Sequence, residues 1–411
     1  MLDFLNNEIV AAVIKSAIVI FALLTAFAYM TLIERRVVAK MQGRLGPNRA
    51  GPSGMFQPIA DAVKMAFKEQ IVPTQAKKAV YLIAPIISVV VALCAFAVVP
   101  IGNSWIDGKH TVWDPVIGDI NVGLLWILSI SSLSVYGIVL GGWASGNRYS
   151  LLGSLRSAAQ MVSYETSLGL ALSGTLMWAG TLSMVGIVHA QLDQHIWFVF
   201  AQPLGFVLYL IAGVAEVNRA PFDLPEAEQE LTAGYLTEYS GLRWSLYQMA
   251  EYINMITVSA VAATLFFGGW SFFGFGLERI PGLSIIIFLI KVACFLFLFI
   301  WLRATLPRIR YDRLMRLGWQ LLLPLAVLNV VITAIVVALG LPWWISGLAG
   351  LAIVVAVLYL VRSRTHEIQT GHISTSTTQG AIIPTSVRLA KFEAVDGTAL
   401  VAPSPTQDVK A

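Results

Sequence analysis

Residues 282–302 read GLSIIIFLIKVACFLFLFIWL, with a single charge at Lys291. At 1.5 Å per residue, a helix of this length covers the ~30 Å hydrocarbon core of a bilayer. Other apolar runs of similar length recur along the chain. Of 411 residues, 57% are hydrophobic and only 12% charged, where a soluble chain carries about a quarter charged. A mean hydropathy of +0.76 agrees. A soluble enzyme, a disordered scaffold and a disulfide-stapled secreted domain are excluded.

Nine stretches are long enough to span, near 10–33, 80–101, 122–144, 158–182, 196–217, 246–270, 282–302, 320–341 and 343–361. The expected class is therefore an all-α polytopic membrane protein. An eight-span core occupies 1–341, and 342–361 forms a further C-terminal span. Only Pro342 separates the last two stretches, so a re-entrant hairpin arm is the alternative. Residues 362–411, rich in Ser, Thr, Pro and Gly, read as a polar and largely disordered cytoplasmic tail. The first stretch has no basic leader and no small-residue cleavage site, so it reads as a retained helix.

Loop charges set the orientation. Of 27 Lys and Arg, 23 fall between spans one and two, after spans three, five and seven, or in the tail. The opposite segments hold only Lys109 and Arg279. The expectation is a cell-membrane protein with its N-terminus outside and its tail in the cytoplasm. The net charge of +4 then reflects topology and implies no nucleic-acid partner.

Cys94 and Cys294 are too few for a zinc or iron–sulfur site, and the five histidines offer no facing pair inside a span. No cofactor is expected on this chain, and no catalytic residue acting by covalent or redox chemistry.

Acids inside a bilayer are costly, at roughly 2.5–3.5 kcal/mol each near its centre, so their positions are informative. Glu34 ends span one, Glu165 lies about 10 Å into span four, Glu216 closes span five and Glu251 enters span six. All four fall in the same inner half, which suits a proton relay. The plainer alternative makes Glu34 and Glu216 helix-end residues paired with loop arginines. Lys291 sits too deep to snorkel and is expected to face the bundle, whereas Lys15 is shallow enough to reach the interface.

Residues 54–70 place Phe56, Ile59, Ala60, Val63 and Phe67 on one helical face and Gln57, Asp61, Lys64 and Lys68 on the other. This helix should lie in the interface, as a surface anchor or as the roof of an opening between spans. The loop 218–243 begins Asn218-Arg219-Ala220-Pro221-Phe222-Asp223-Leu224-Pro225, where two prolines prevent regular helix. Glu226, Glu228, Glu230 and Glu238 follow. An acidic loop on the basic side is a solvated turn, a docking surface for a basic partner, or the wall of a proton-feeding cavity.

These residues also carry a resemblance. Glu34-Arg35-Arg36 with Gly43-Arg44-Leu45-Gly46-Pro47-Asn48, the run from Gln57 to Lys64 with Lys68-Glu69, Ser163-Tyr164-Glu165, Ala215 to Glu226, Glu238-Tyr239, Ala250-Glu251-Tyr252 and Arg308-Ile309-Arg310-Tyr311-Asp312 occur in order. Together they resemble one membrane-subunit family of proton-pumping NADH–quinone oxidoreductase (respiratory complex I), the bacterial equivalent of mitochondrial NADH dehydrogenase subunit one. The resemblance covers roughly residues 10–340. It implies an enzyme subunit that frames a quinone entrance and chamber and links quinone reduction to proton translocation. By residue, it implies a chamber at Arg35, Arg36, Arg44, Phe56, Asp61, Arg219, Phe222, Asp223, Arg303, Arg308 and Arg310. It implies a relay at Glu34, Asp61, Glu69, Glu165, Glu216, Asp223, Glu226, Glu228, Glu230 and Glu251.

The resemblance further implies ubiquinone or menaquinone as substrate. It places FMN, iron–sulfur clusters and NADH in partner subunits, with peripheral-arm and membrane-arm subunits and lipid as partners. Leu236-Thr237 and Gln229 depart from the family pattern, and residues 343–411 exceed its usual core. The alternatives are the equivalent subunit of a membrane-bound hydrogenase-type complex and, in a different class, a secondary ion transporter. The transporter predicts paired repeats, which the sequence lacks.

Overall fold

The computed structural model describes residues 8–103, 105–107, 110–113, 116–223, 233–272 and 281–378. The first unit, Met1–Val354, is a bundle of helices. Helix α1 (Glu8–Met41) leads through a short turn to α2 (Gln57–Phe67) and α3 (Lys78–Phe96). After a small antiparallel hairpin (Trp105–Asp107 with His110–Trp113) come α4 (Gly123–Ala144) and α5 (Arg148–Ala179). Then follow α6 (Met184–Asp193), α7 (Phe198–Ala201), α8 (Pro203–Glu216) and α9 (Gly241–Phe267). The series closes with α10 (Pro281–Thr305), α11 (Tyr311–Arg316), α12 (Leu323–Ala338) and α13 (Trp343–Thr378).

Seven described helices are long and apolar enough to cross a membrane, and an eighth if α5 and α6, bent by 53°, make one span. The all-α polytopic class is therefore observed. Within unit 1, α9 is the central helix, with 83% of its apolar window buried. It packs on α3 and α10, while α5 packs on α4, α8 and α12. The second unit, Val355–Ala411, is described as the helical turns of α13 to Thr378. Residues 379–411 of the expected tail lie outside the described residues.

Several boundaries differ from the hydropathy reading, each for a local reason. Helix α5 starts ten residues before the apolar run because Asn147 caps it, its Oδ1 accepting from the Tyr149 amide at 3.0 Å. Arg148 and Arg156 are therefore helical, and Glu165 sits near the middle of a 32-residue helix. The fifth apolar run breaks at Gln202-Pro203 into α7 and α8. Residues 317–322 form a π-helical segment joining α11 to α12, so Arg313 and Arg316 lie on a helix. Lys15 donates to the Val116 carbonyl, in the loop between the second and third spans, at 3.1 Å.

Candidate functional site

Three elements far apart in sequence converge on Glu34, near the end of α1. Arg303, in the last turn of α10, donates from Nη1 to Glu34 Oε1. The Tyr252 hydroxyl on α9 donates to Glu34 Oε2 at 2.9 Å. Arg219 places Nη2 3.9 Å from that oxygen and its guanidinium 4.1 Å from the Tyr252 ring centre. Glu34 and Arg219 are 7% and 4% exposed, and charges so deeply buried persist only when paired. Burial works against the Arg219 charge, but Tyr252, Glu34 and Glu251 outweigh it and hold the guanidinium more firmly protonated than a free arginine.

The chain delivers Arg219 to this point by leaving helix early. Helix α8 ends at Glu216, Asn218 turns with φ of 54°, and Pro221 cannot continue a helical ladder. The loop is then tied down from both sides. Gln160 on α5 donates to the Ala215 and Phe222 carbonyls at 2.7 and 2.9 Å. The Ile309 amide donates to the Pro221 carbonyl at 3.0 Å.

A cavity of about 320 Å³ opens over the cluster. Glu34, Arg35, Arg219, Tyr252, Gln248 and Arg303 give it polar walls, and Pro58, Asp61, Ala62 and Met65 of α2 close one side. A cavity of about 340 Å³ beside it is lined by Glu34, Arg35, Arg44 and Arg303. Asp61 pairs with Arg35 at 2.7 Å and accepts from Gln57 at 3.0 Å. The apolar side chains Phe56, Ile59, Val63 and Phe67 are each more than half exposed in this chain, as an interfacial helix requires.

Behind Arg219 the acids continue. Glu251 is nearly buried and accepts from the Tyr235 hydroxyl at 3.2 Å. Burial, with Glu251 beside it, raises the Tyr235 phenol and keeps it a donor. Glu251, Glu216, Tyr235 and Asn254 line a cavity of about 20 Å³, and Glu216, Ser131, Asn254 and Thr257 one of about 40 Å³. Both exceed the roughly 10–15 Å³ that one water needs. Glu165 accepts from Ser132 and lies close enough to Glu216 to interact electrostatically. The order of charged groups is thus Glu34, Arg219, Glu251, Glu216, Glu165.

Not every expected residue joins this series. Asp223 is buried and pairs with Arg308 at 3.3 Å. Phe222 is buried with its ring 5.8 Å from that of Tyr164. Arg36 donates to the Ser53 carbonyl, and Arg310 pairs with Asp312 at 3.4 Å in solvent. Neither they nor Phe56 and Glu69 line the cavities above. Glu226, Glu228 and Glu230 lie outside the described residues. The sequence gives no role to Tyr235, Gln248 or Ser132, and Tyr252 enters it only as part of the Ala250-Glu251-Tyr252 motif. Only Tyr252 left a signal, as the hydroxyl beside an intramembrane acid. Among the described residues no group of three or more His, Cys, Asp or Glu is placed to hold a metal.

Fold and site define a class: a polytopic membrane protein whose helices enclose a paired carboxylate–arginine cluster beside a polar cavity. A family described as NADH dehydrogenase matches residues 14–334. The chain is 51% identical to the H subunit of NADH-quinone oxidoreductase from Deinococcus radiodurans, covering 82% of this chain and 85% of that protein. It is also 51% identical to NADH-quinone oxidoreductase subunit 8 of Thermus thermophilus, over 84% and 93%. For the H subunit from Thermomicrobium roseum the identity is 49%, over 80% and 97%. The chain belongs to this family of membrane subunits of the enzyme NADH-quinone oxidoreductase.

Proposed function

We propose that the chain frames the entrance and chamber by which a quinone enters the enzyme, and that its linked acids couple quinone reduction to proton translocation. The observation that carries this is the 320 Å³ cavity, bounded by α2 and joined through Arg219 to Glu251. Its walls suit an amphiphile: Phe27, Pro58 and Met65 offer apolar surface, and Arg219 and Arg303 offer cations for a carbonyl oxygen. Among the described residues, Arg219 Nε and Nη2 have no hydrogen-bond partner.

Reduction of a quinone to a quinol takes up two protons and brings negative charge near groups of low solvent access. Such charge favours protonation of nearby carboxyls, and it acts further in a low dielectric than in water. Protons then redistribute along Glu34, Glu251, Glu216 and Glu165. Flavin, iron–sulfur clusters and NADH belong to partner subunits in this scheme. The basic loops support an orientation with the N-terminus outside and the C-terminus in the cytoplasm.

Ala62→Trp tests the chamber, because Ala62 lines the cavity from an exposed helix. The KM for quinone should rise several-fold at unchanged complex content. Wild-type kinetics in that variant contradict the chamber.

A further inference from the structure

Lys291 lies in the middle of α10, and its Nζ is surrounded by backbone oxygens. It donates to the carbonyls of Phe267, Gly269 and Ser271 at 2.6, 2.9 and 2.5 Å. The Trp197 ring centre stands 5.0 Å away, a cation–π distance. Three carbonyls match the three N–H donors of an ammonium. They come from the turn that ends α9, where Gly268 and Gly269 take φ of 72° and 53°. Helix ends leave carbonyls without intrahelical partners, and in a hydrocarbon surround such groups must be satisfied inside the protein. A left-handed turn that aims three of them at one point presents a concentrated negative potential, which a monovalent cation fits.

We propose that Phe267, Gly269 and Ser271 form a backbone cradle for a monovalent cation, occupied by the tethered ammonium of Lys291, which fixes the end of α9. Glu251 and Tyr252 lie on the same helix, ~24 Å further along. Lys291 is thus a positioning residue for that helix, at the end opposite the Glu34 cluster, and it stands independently of the quinone chamber. On α10 it complements Arg303, so one helix holds two neighbours by two cations: α9 through Lys291 and α1 through Arg303.

A groove of about 450 Å³ is lined by Lys291 together with Phe267, Ile290, Cys294, Phe297 and Trp301. It gives a small amine, crossing as the free base, a route to the cradle once the lysine is shortened. The test uses the assembled enzyme carrying Lys291→Ala. Its quinone reductase turnover should fall at least several-fold, and millimolar n-propylammonium should restore at least twofold of it, while n-propanol of the same shape should not. Equal rescue by amine and alcohol, no rescue by either, or unimpaired turnover overturns the cradle. Should Lys291→Ala not assemble, Lys291→Arg and Lys291→Met decide. Assembly with Arg and not with Met supports a cation site, whereas equal behaviour of the two, or better assembly with Met, overturns it.

Discussion

The hydroxyl of Tyr252 donates to Glu34 at 2.9 Å although 218 positions separate them in the chain. The bond joins α1 to the central helix α9 and turns Glu34 toward Arg219. A hydrogen bond to a charged group contributes about 1.5–3 kcal/mol. Tyr252→Phe keeps the ring beside Arg219 and removes the hydroxyl with its contacts to Glu34 and Arg219. The enzyme should still assemble, and its thermal unfolding should show a loss of that order together with slower quinone reduction.

Arg219 is the cation shared by Glu34 and Glu251. Removing one member of a buried charge group costs about 3–5 kcal/mol, because the other charges are left without compensation. Arg219→Gln should therefore sharply lower the amount of assembled complex in the membrane. Adding Glu251→Gln to that variant should recover part of the loss, since the stranded carboxylate is then gone. Immunoblots of native gels read both outcomes.

Gly153 on α5 touches the turn that carries Tyr235. A Cβ added there meets Gly234 Cα at 2.4 Å, and backbone cannot swing aside as a side chain can. Overpacking of this kind costs about 1–3 kcal/mol. Gly153→Ala should destabilise the complex by that amount and loosen the Tyr235–Glu251 contact, read as faster hydrogen exchange over residues 233–239.

The basic loops predict which side the chain ends on. A protease added to sealed inside-out vesicles should remove a C-terminal epitope and leave an N-terminal one intact. The reverse pattern contradicts the orientation.

Hydropathy exposed most of the fold, since each long apolar run became helix. The misses arose where backbone chemistry outweighed hydropathy. Asn147 capped α5 well before its apolar stretch, and Pro203 split a run that composition shows as continuous. Within the site, Glu34 and Glu251 stood out because ionised groups are expensive in a bilayer, and Arg219 through the family resemblance of its loop. Their pairing did not, because Arg303, Tyr252 and Glu34 meet only through tertiary packing. Tyr235 and Ser132 were invisible, as a hydroxyl in an apolar run carries no signal until its acceptor is known. Lys291 was recognised as too deep to snorkel, yet its partners are backbone carbonyls, which no side-chain pattern encodes.

In the proposed function, the role of Glu216 and Glu165 is to carry protons between the Glu34 cluster and the rest of the enzyme. It is tested most directly by Glu216→Gln, with Glu165→Gln beside it, measuring NADH–quinone turnover and proton uptake in the same sealed vesicles. An amide keeps the size and polarity of the side chain but cannot exchange a proton at this site. Both activities should fall about fivefold or more, a barrier increase on the order of 1 kcal/mol, at wild-type complex content. Wild-type turnover with wild-type pumping in both variants would contradict the relay.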